Sequence, residues 1–323
     1  MSDSVILETR HLTKRFELPD GHMLTAVDDV SLKFTRGQTL GIVGESGCGK
    51  STLMRMLVQL LIPTAGDIYF NGTNITQLRG EAARQHRQHI QMIFQDPAQA
   101  FNPRMKIRDI ICEPLLNFQK ISKKDKSIVA QQLLERVELP DDFIVRYPHD
   151  MSGGQRQRVA IARALALNPE MIICDEATSA LDVSVQKSIM ELIAKLQQEQ
   201  NLTIAFICHD LALVSQISHR IAVMYLGNIV EILPGNHLYK KVRHPYTHSL
   251  MRSVFDIHMD FHQEIECLSG DVPSPSAISS GCPFITRCPY RQKKCAIEKP
   301  KLQSLSNSHA IACHYPLVNA QLN

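Results

Sequence analysis

Residues 39–51 read Thr39-Leu40-Gly41-Ile42-Val43-Gly44-Glu45-Ser46-Gly47-Cys48-Gly49-Lys50-Ser51. The run from Thr39 to Val43 is a short buried strand. Gly44 to Ser51 is a glycine-rich loop that fits G-x-x-x-x-G-K-[ST]. Ser51 to Leu61 then follows with helical periodicity and stops at Pro63. The glycines let backbone N–H groups turn inward around phosphate oxygens, and the following helix adds its N-terminal donors and its dipole. Lys50 reaches the β- and γ-phosphates, and the Ser51 hydroxyl ligates Mg²⁺. Strand before and helix after are the context the motif requires, so Gly44 to Thr52 is read as a nucleoside-triphosphate loop.

Working outward, the flanks read as alternating strands and helices. Val5-Ile6-Leu7 opens a strand, Pro19-Asp20-Gly21 is a turn, and Val27 to Phe34 alternates as one half-buried strand. Asp67 to Gly72 is a strand ending in a turn, and Ile90 to Phe94 is another strand. From about 105 to 165 the pattern turns helical, with Pro103, Pro114, Pro140 and Pro148 as breaks. The alternation then resumes: strand Met171–Cys174, helix Val183–Gln200, strand Thr203–Cys208, helix Leu211–Ile217, strand Ile221–Leu226. Apolar strands alternating with helices predict an α/β fold with a largely parallel sheet covered on both faces. Beyond about residue 255 the periodicity fails; Asp271 to Ser276 is linker-like, and the rest is rich in Pro and Cys.

Composition narrows the function. The chain has 323 residues, 44% hydrophobic and 21% charged, which is globular usage and speaks for about two domains. Net charge is +3, from 35 basic and 32 acidic residues, too balanced to predict a nucleic-acid partner. No run of 18 apolar residues is present, and Met1-Ser2-Asp3-Ser4 lacks the basic and apolar regions of a secretory signal. A cytosolic chain is expected, whose nine cysteines need a reading other than disulfides. Cys48, inside the phosphate loop, is expected to be a thiol whose alkylation blocks nucleotide binding.

A second acidic site lies downstream. Met171-Ile172-Ile173-Cys174 is an apolar strand ending in Asp175 and Glu176. In a phosphate-loop fold an acid there sits beside the Mg²⁺. Asp175 is read as the metal's acid, and Glu176 as the base that polarises the attacking water.

Met151-Ser152-Gly153-Gly154-Gln155, ahead of a helix from Arg156 to Leu167, resembles the signature motif of ATP-binding-cassette (ABC) ATPases. Ser152 and Gly154 at a helix start make an anion site. One chain needs no second nucleotide, so this site makes sense capping ATP held by a partner, which predicts a head-to-tail dimer. Gln95 in Ile93-Phe94-Gln95-Asp96-Pro97 is similar to the family's Q-loop, Ser179-Ala180-Leu181-Asp182 to its D-loop, and His209 to its switch histidine. Phe16 sits where the family stacks an aromatic ring on adenine. The resemblance covers about residues 3–255 and implies a P-loop ABC ATPase: a RecA-like core, an N-terminal antiparallel β subdomain and a helical subdomain inserted at about 100–165. It implies roles residue by residue. Lys50 contacts phosphates, Ser51, Gln95 and Asp175 hold Mg²⁺, and Gln95 also couples to the membrane partner. Glu176 is the base, and His209 contacts the γ-phosphate. Ser152, Gly153, Gly154 and Gln155 face the partner's ATP, and Asp182 crosses the interface.

Residues 256–323 form a small Cys-rich extension. Cys282 and Cys288 are spaced C-x5-C, Cys288 and Cys295 C-x6-C, and Cys313 follows with His309 and His314 nearby. Four thiolates suit zinc or an iron–sulfur cluster, and spacing leaves both open. His244-Pro245-Tyr246-Thr247, followed by this tail, resembles the ATPase subunits of dipeptide and oligopeptide ABC importers, with Pro283 and Pro289 after two of the cysteines. That resemblance implies a [4Fe–4S] cluster on Cys282, Cys288, Cys295 and Cys313, with Zn²⁺ the alternative. It also implies ATP hydrolysis that energises import of di- or oligopeptides at the cytoplasmic face of the bacterial inner membrane. The partners it implies are two permease subunits, a second related ATPase subunit in a heterodimer and, indirectly, an extracytoplasmic solute-binding protein. The competing expectation is a soluble ABC ATPase acting on ribosomes or DNA.

Overall fold

In the computed structural model the described residues are 4–178, 181–236, 238–252, 281–306 and 308–318. The linker reading at Asp271–Ser276, Cys267, and Ser179 and Ala180 of the D-loop lie outside them. The described secondary structure runs β1 (Val5–Glu17), β2 (Met23–Val30), β3 (Lys33–Thr35), β4 (Thr39–Val43), α1 (Lys50–Leu57), β5 (Ala65–Phe70), β6 (Thr73–Asn74), α2 (Gly80–His86) and β7 (Ile90–Ile93). Then come α3 (Pro97–Ala100), α4 (Ile107–Asn117), α5 (Lys126–Arg136), two 3-10 turns (Asp141–Val145, Pro148–Asp150), α6 (Gly153–Leu165) and β8 (Met171–Asp175). α7 (Val183–Gln200), β9 (Thr203–Ile207), α8 (Leu211–Ile217), β10 (Arg220–Tyr225), β11 (Asn228–Pro234), α9 (Leu238–Lys241) and α10 (Pro245–Arg252) follow. The tail adds α11 (Lys293–Ile297), β12 (Gln303–Ser306) and β13 (His309–Ile311).

The chain divides into two compact units, one of residues 1–35, 39–77 and 206–323, the other of 36–38 and 78–205. The first unit contains an antiparallel sheet in which β1 pairs with β2, β3 and β5, and β5 with β6. The stretch from Val27 to Phe34 is not one strand, because the chain leaves β2 at Val30 and pairs again with β1 only from Lys33. This unit also holds β10, parallel to β4 and antiparallel to β11. Leu226 and Gly227 both have positive φ, 42° and 79°, which is the backbone of a two-residue hairpin turn and sends β11 back alongside β10. β13 then pairs with β11, and β12 with β13, both antiparallel. The expectation of a largely parallel sheet is thus corrected: the sheet is mixed, and the Cys-rich tail supplies strands to it.

The second unit pairs β7 with β8 in parallel and carries the helices α2 to α7. α4, α5 and α6 bury Ile107, Ile110, Leu133, Leu134, Val159 and Ile161. Pro114 is no break: it lies inside α4, with only three residues of the helix after it. Its missing N–H removes one i→i−4 bond, the one to Ile110, in the last turn of the helix.

Candidate active site

The first unit carries Phe16, the phosphate loop, His209 and the four tail cysteines. All five residues of β4 are buried, which fixes where the loop begins. Gly49 has φ 106°, and a Cβ there would stand 2.1 Å from the Ala26 carbonyl oxygen, so no other residue fits. α1 starts at Lys50, which is 4% exposed and donates from Nζ to the carbonyls of Gly44 (2.7 Å) and Glu45 (2.9 Å). Ser51 and Thr52 follow in its first turn. The Cys48 thiol is also 4% exposed, and burial pushes it up against the opposing pull of Lys50. Its thiolate is therefore disfavoured, which slows the alkylation expected there.

The loop is braced from outside. The Glu45 N–H donates to the Tyr246 hydroxyl at 2.9 Å. The Glu45 carboxylate receives both ends of the Arg287 guanidinium, at 2.8 and 3.0 Å. Gly227 N–H donates to the Cys48 carbonyl at 2.9 Å. His209 is exposed between β9 and α8, and Asp210 caps α8 by accepting from the Leu213 N–H at 3.0 Å. Phe16 lies in β1 opposite Leu24, half-buried, with the Lys14 ammonium 5.2 Å from its ring centre.

The second unit carries Gln95, the signature residues, Asp175, Glu176 and Asp182. Gln95 is exposed just beyond β7. β8 is buried throughout and ends at Asp175, itself 7% exposed. Glu176 follows with φ 48°, a left-handed backbone costing about 1–3 kcal/mol in a non-glycine residue. Ser152 caps α6: its hydroxyl accepts from the Gln155 N–H (3.3 Å), while the Gln155 side chain accepts from the Ser152 N–H (2.9 Å). Gly153 and Gly154 occupy the first turn. A Cβ on Gly154 would lie 2.6 Å from Cγ1 of Val185, so α7 leaves that position room for hydrogen alone. Asp182 caps α7, accepting from the Ser184 hydroxyl (2.7 Å) and the Val185 N–H (2.9 Å), which hold its carboxyl below the usual range. Hydroxyl, amide and carboxylate oxygens at Ser51, Gln95 and Asp175 are the hard donors Mg²⁺ takes.

In the tail, Cys282, Cys288, Cys295 and Cys313 line one small pocket with His244, Phe284 and His314. Burial first, then the neighbouring thiols, push Cys282 up to about 11 and Cys313 to about 12. Thiols so placed are protonated at neutral pH, so a metal group must displace the protons. Among the described residues no three or more His, Cys, Asp or Glu side chains are arranged to hold a metal ion. The donor chemistry and the shared pocket suit a sulfur-ligated metal group, whether zinc or an iron–sulfur cluster. His309 is turned away to Glu231, at 2.9 Å.

Sequence reading missed three supports: Arg287, Tyr246 as the loop's hydrogen-bond acceptor, and Glu231. Glu231 is fully buried and accepts from the N–H groups of Arg243 and His244 as well as from His309. Tyr246 lay within a quoted motif, but its partner is 201 residues distant.

The ABC transporter family profile matches residues 27–179, and that of the oligopeptide/dipeptide transporter C-terminal region matches 230–295. A "probable peptide ABC transporter ATP-binding protein" of Sinorhizobium fredii is 46% identical over 97% of this chain and 90% of its own. The oligopeptide transport ATP-binding protein AppF of Bacillus subtilis is 44% identical over 97% of this chain and 98% of its own. The corresponding OppF of Haemophilus influenzae is 44% identical over 96% of each chain. Among solved structures, a dimeric ATP-binding cassette in a post-hydrolysis state with ADP and phosphate superposes with TM-score 0.66 at 29% identity, covering 72% of this chain and 99% of that one.

Proposed function

This chain belongs to the ATP-binding-cassette family of oligopeptide and dipeptide transport subunits, and we propose from that premise how its residues divide the work of ATP-driven peptide import. The fold is the P-loop ABC ATPase fold and the activity is ATP hydrolysis. The relatives are peptide-transport subunits, which leaves action on ribosomes or DNA without support.

The observation that carries the reading is the presence of two phosphate-type helix starts in one chain, α1 behind the glycine loop and α6 behind a capped Ser152. Two such starts suit a head-to-tail pair of cassettes, each closing the other's nucleotide. Lys50 and the loop N–H groups take the phosphates of ATP, and Phe16 takes the adenine. Ser51, Gln95 and Asp175 hold Mg²⁺, which when bound neutralises charge building on the transferred phosphoryl group. Glu176 withdraws a proton from the attacking water, and His209 donates toward the γ-phosphate. Ser152 and Gly154, with Gly153 and Gln155, cap the partner's ATP, and Asp182 lies at that interface. No helix among the described residues is long and apolar enough to cross a membrane. Separate permease subunits therefore carry the solute, with this chain peripheral at the cytoplasmic face of the inner membrane. A related second ATPase completes a heterodimer, and an extracytoplasmic binding protein selects the peptide.

The four tail cysteines take a [4Fe–4S] cluster in this reading. The four thiols share one pocket and so supply the donors of such a cluster, and the resemblance of the tail to that of oligopeptide importers favours it over Zn²⁺, the alternative. Iron and sulfide in protein purified without oxygen support it; stoichiometric zinc without iron overturns it. The catalytic assignment is tested with Glu176→Gln. Turnover falls by about 10²–10⁴-fold while ATP binding persists, the loss typical of a general base. Full turnover overturns it.

A further inference from the structure

The phosphate loop carries a carboxylate, Glu45, directly after its first glycine. A loop built to receive a polyanion is a poor place for a bare negative charge, which repels the incoming phosphates. The counter-charge comes from the Cys-rich tail. Arg287 lies 242 residues along the chain and immediately before Cys288, and both ends of its guanidinium meet the two carboxylate oxygens of Glu45. The arginine side chain is 6% exposed and the glutamate 21%, so solvent screens the pair little. A two-pronged fork also fixes the direction in which the carboxylate points.

A second contact runs beside the first. Phe284, between Cys282 and Cys288, meets Tyr225 edge-on (5.2 Å, 88°) and lies 5.4 Å from Tyr246. All three rings are fully buried. Tyr246 in turn accepts the Glu45 N–H. The segment between two of the cysteines therefore holds Glu45 by its side chain through charge and by its backbone through a packed aromatic wedge.

We propose that Arg287 is a positioning residue for ATP: it neutralises Glu45 and holds the first turn of the phosphate loop, so that the cysteine-bearing tail sets this chain's nucleotide affinity. The proposal rests on the reading of the loop as the ATP site. Since Arg287 adjoins Cys288, whatever orders the cysteine pocket also orders the fork, and by linkage ATP binding stabilises that pocket in return.

The test is titration of the full chain with a fluorescent ATP analogue, alongside steady-state ATP hydrolysis. Arg287→Ala weakens ATP binding by about tenfold, within the range usual for such couplings, and raises KM while kcat at saturation changes little. Adding Glu45→Gln to Arg287→Ala recovers affinity to within about threefold of wild type, because the uncompensated charge is gone. A merely structural arginine predicts no such rescue. Should Arg287→Ala not fold, Arg287→Lys and Arg287→Gln carry the test: the lysine, which keeps the charge, stays nearer wild type than the glutamine. Wild-type affinity in Arg287→Ala, a double variant as weak as the single, or equal Lys and Gln variants overturns the proposal. Lys50→Ala binding ATP as well as wild type overturns the ATP-site reading beneath it, a distinct result.

Discussion

Among the described residues Glu231 is the most deeply buried acidic side chain. It is fully buried, with the Arg243 N–H at 2.8 Å, the His244 N–H at 3.2 Å and a His309 ring nitrogen at 2.9 Å. It ties β11, the entry to α10 and β13 of the tail to one carboxylate. Glu231→Ala orphans three donors at once and is expected to cost about 3–5 kcal/mol, read as a lower denaturation midpoint with the m-value unchanged. An unchanged midpoint would show the network to be slack. The contrast with Lys50, Ser51 and Asp175 explains what the sequence discloses at this scale. Those residues stand in short motifs whose spacing is itself the chemistry, so one chain suffices to find them. Glu231 and Arg287 act on partners 78 and 242 residues away, and nothing local marks the meeting. Glu176 was legible as an acid after a strand, but its left-handed backbone was not.

At the scale of elements, α7 and α8 have the bounds their apolar spacing predicts, each started by an aspartate cap. α1 is shorter than its pattern, ending at Leu57 where Gln59 takes a positive φ of 58°. The tail strands escaped because short antiparallel strands carry little periodicity, and β12 is exposed along its whole length. The packing of α6 on α7 gives a prediction of its own. Gly154→Ala places a methyl where Val185 Cγ1 already stands. The overpacking costs about 1–3 kcal/mol, partly offset by alanine's better helix propensity. A melting temperature lower by a few degrees is expected, regained when Val185→Ala is added. Loss that Val185→Ala does not relieve would place the glycine's role outside this packing.

At the scale of the molecule, composition changes near residue 255, yet β12 and β13 belong to the same unit as the phosphate loop. Contact makes the described strands of the tail part of the unit that carries the glycine-rich loop, a relation that composition does not reveal. Function at this scale was legible because six motifs occur in a fixed order, whereas the mixed sheet depended on a hairpin turn at Leu226–Gly227 whose first residue is an unusual one for positive φ. The central claim is that this chain hydrolyses ATP to power a peptide importer. It is tested most directly by purifying the tagged chain from native membranes in mild detergent, identifying what it retains, and assaying ATP hydrolysis for wild type and Glu176→Gln. The account predicts two multi-span permeases and a second cassette in both preparations, with hydrolysis in the wild type and a deep loss in the variant. Recovery with ribosomal or DNA-bound proteins alone, or full hydrolysis by Glu176→Gln, would contradict it.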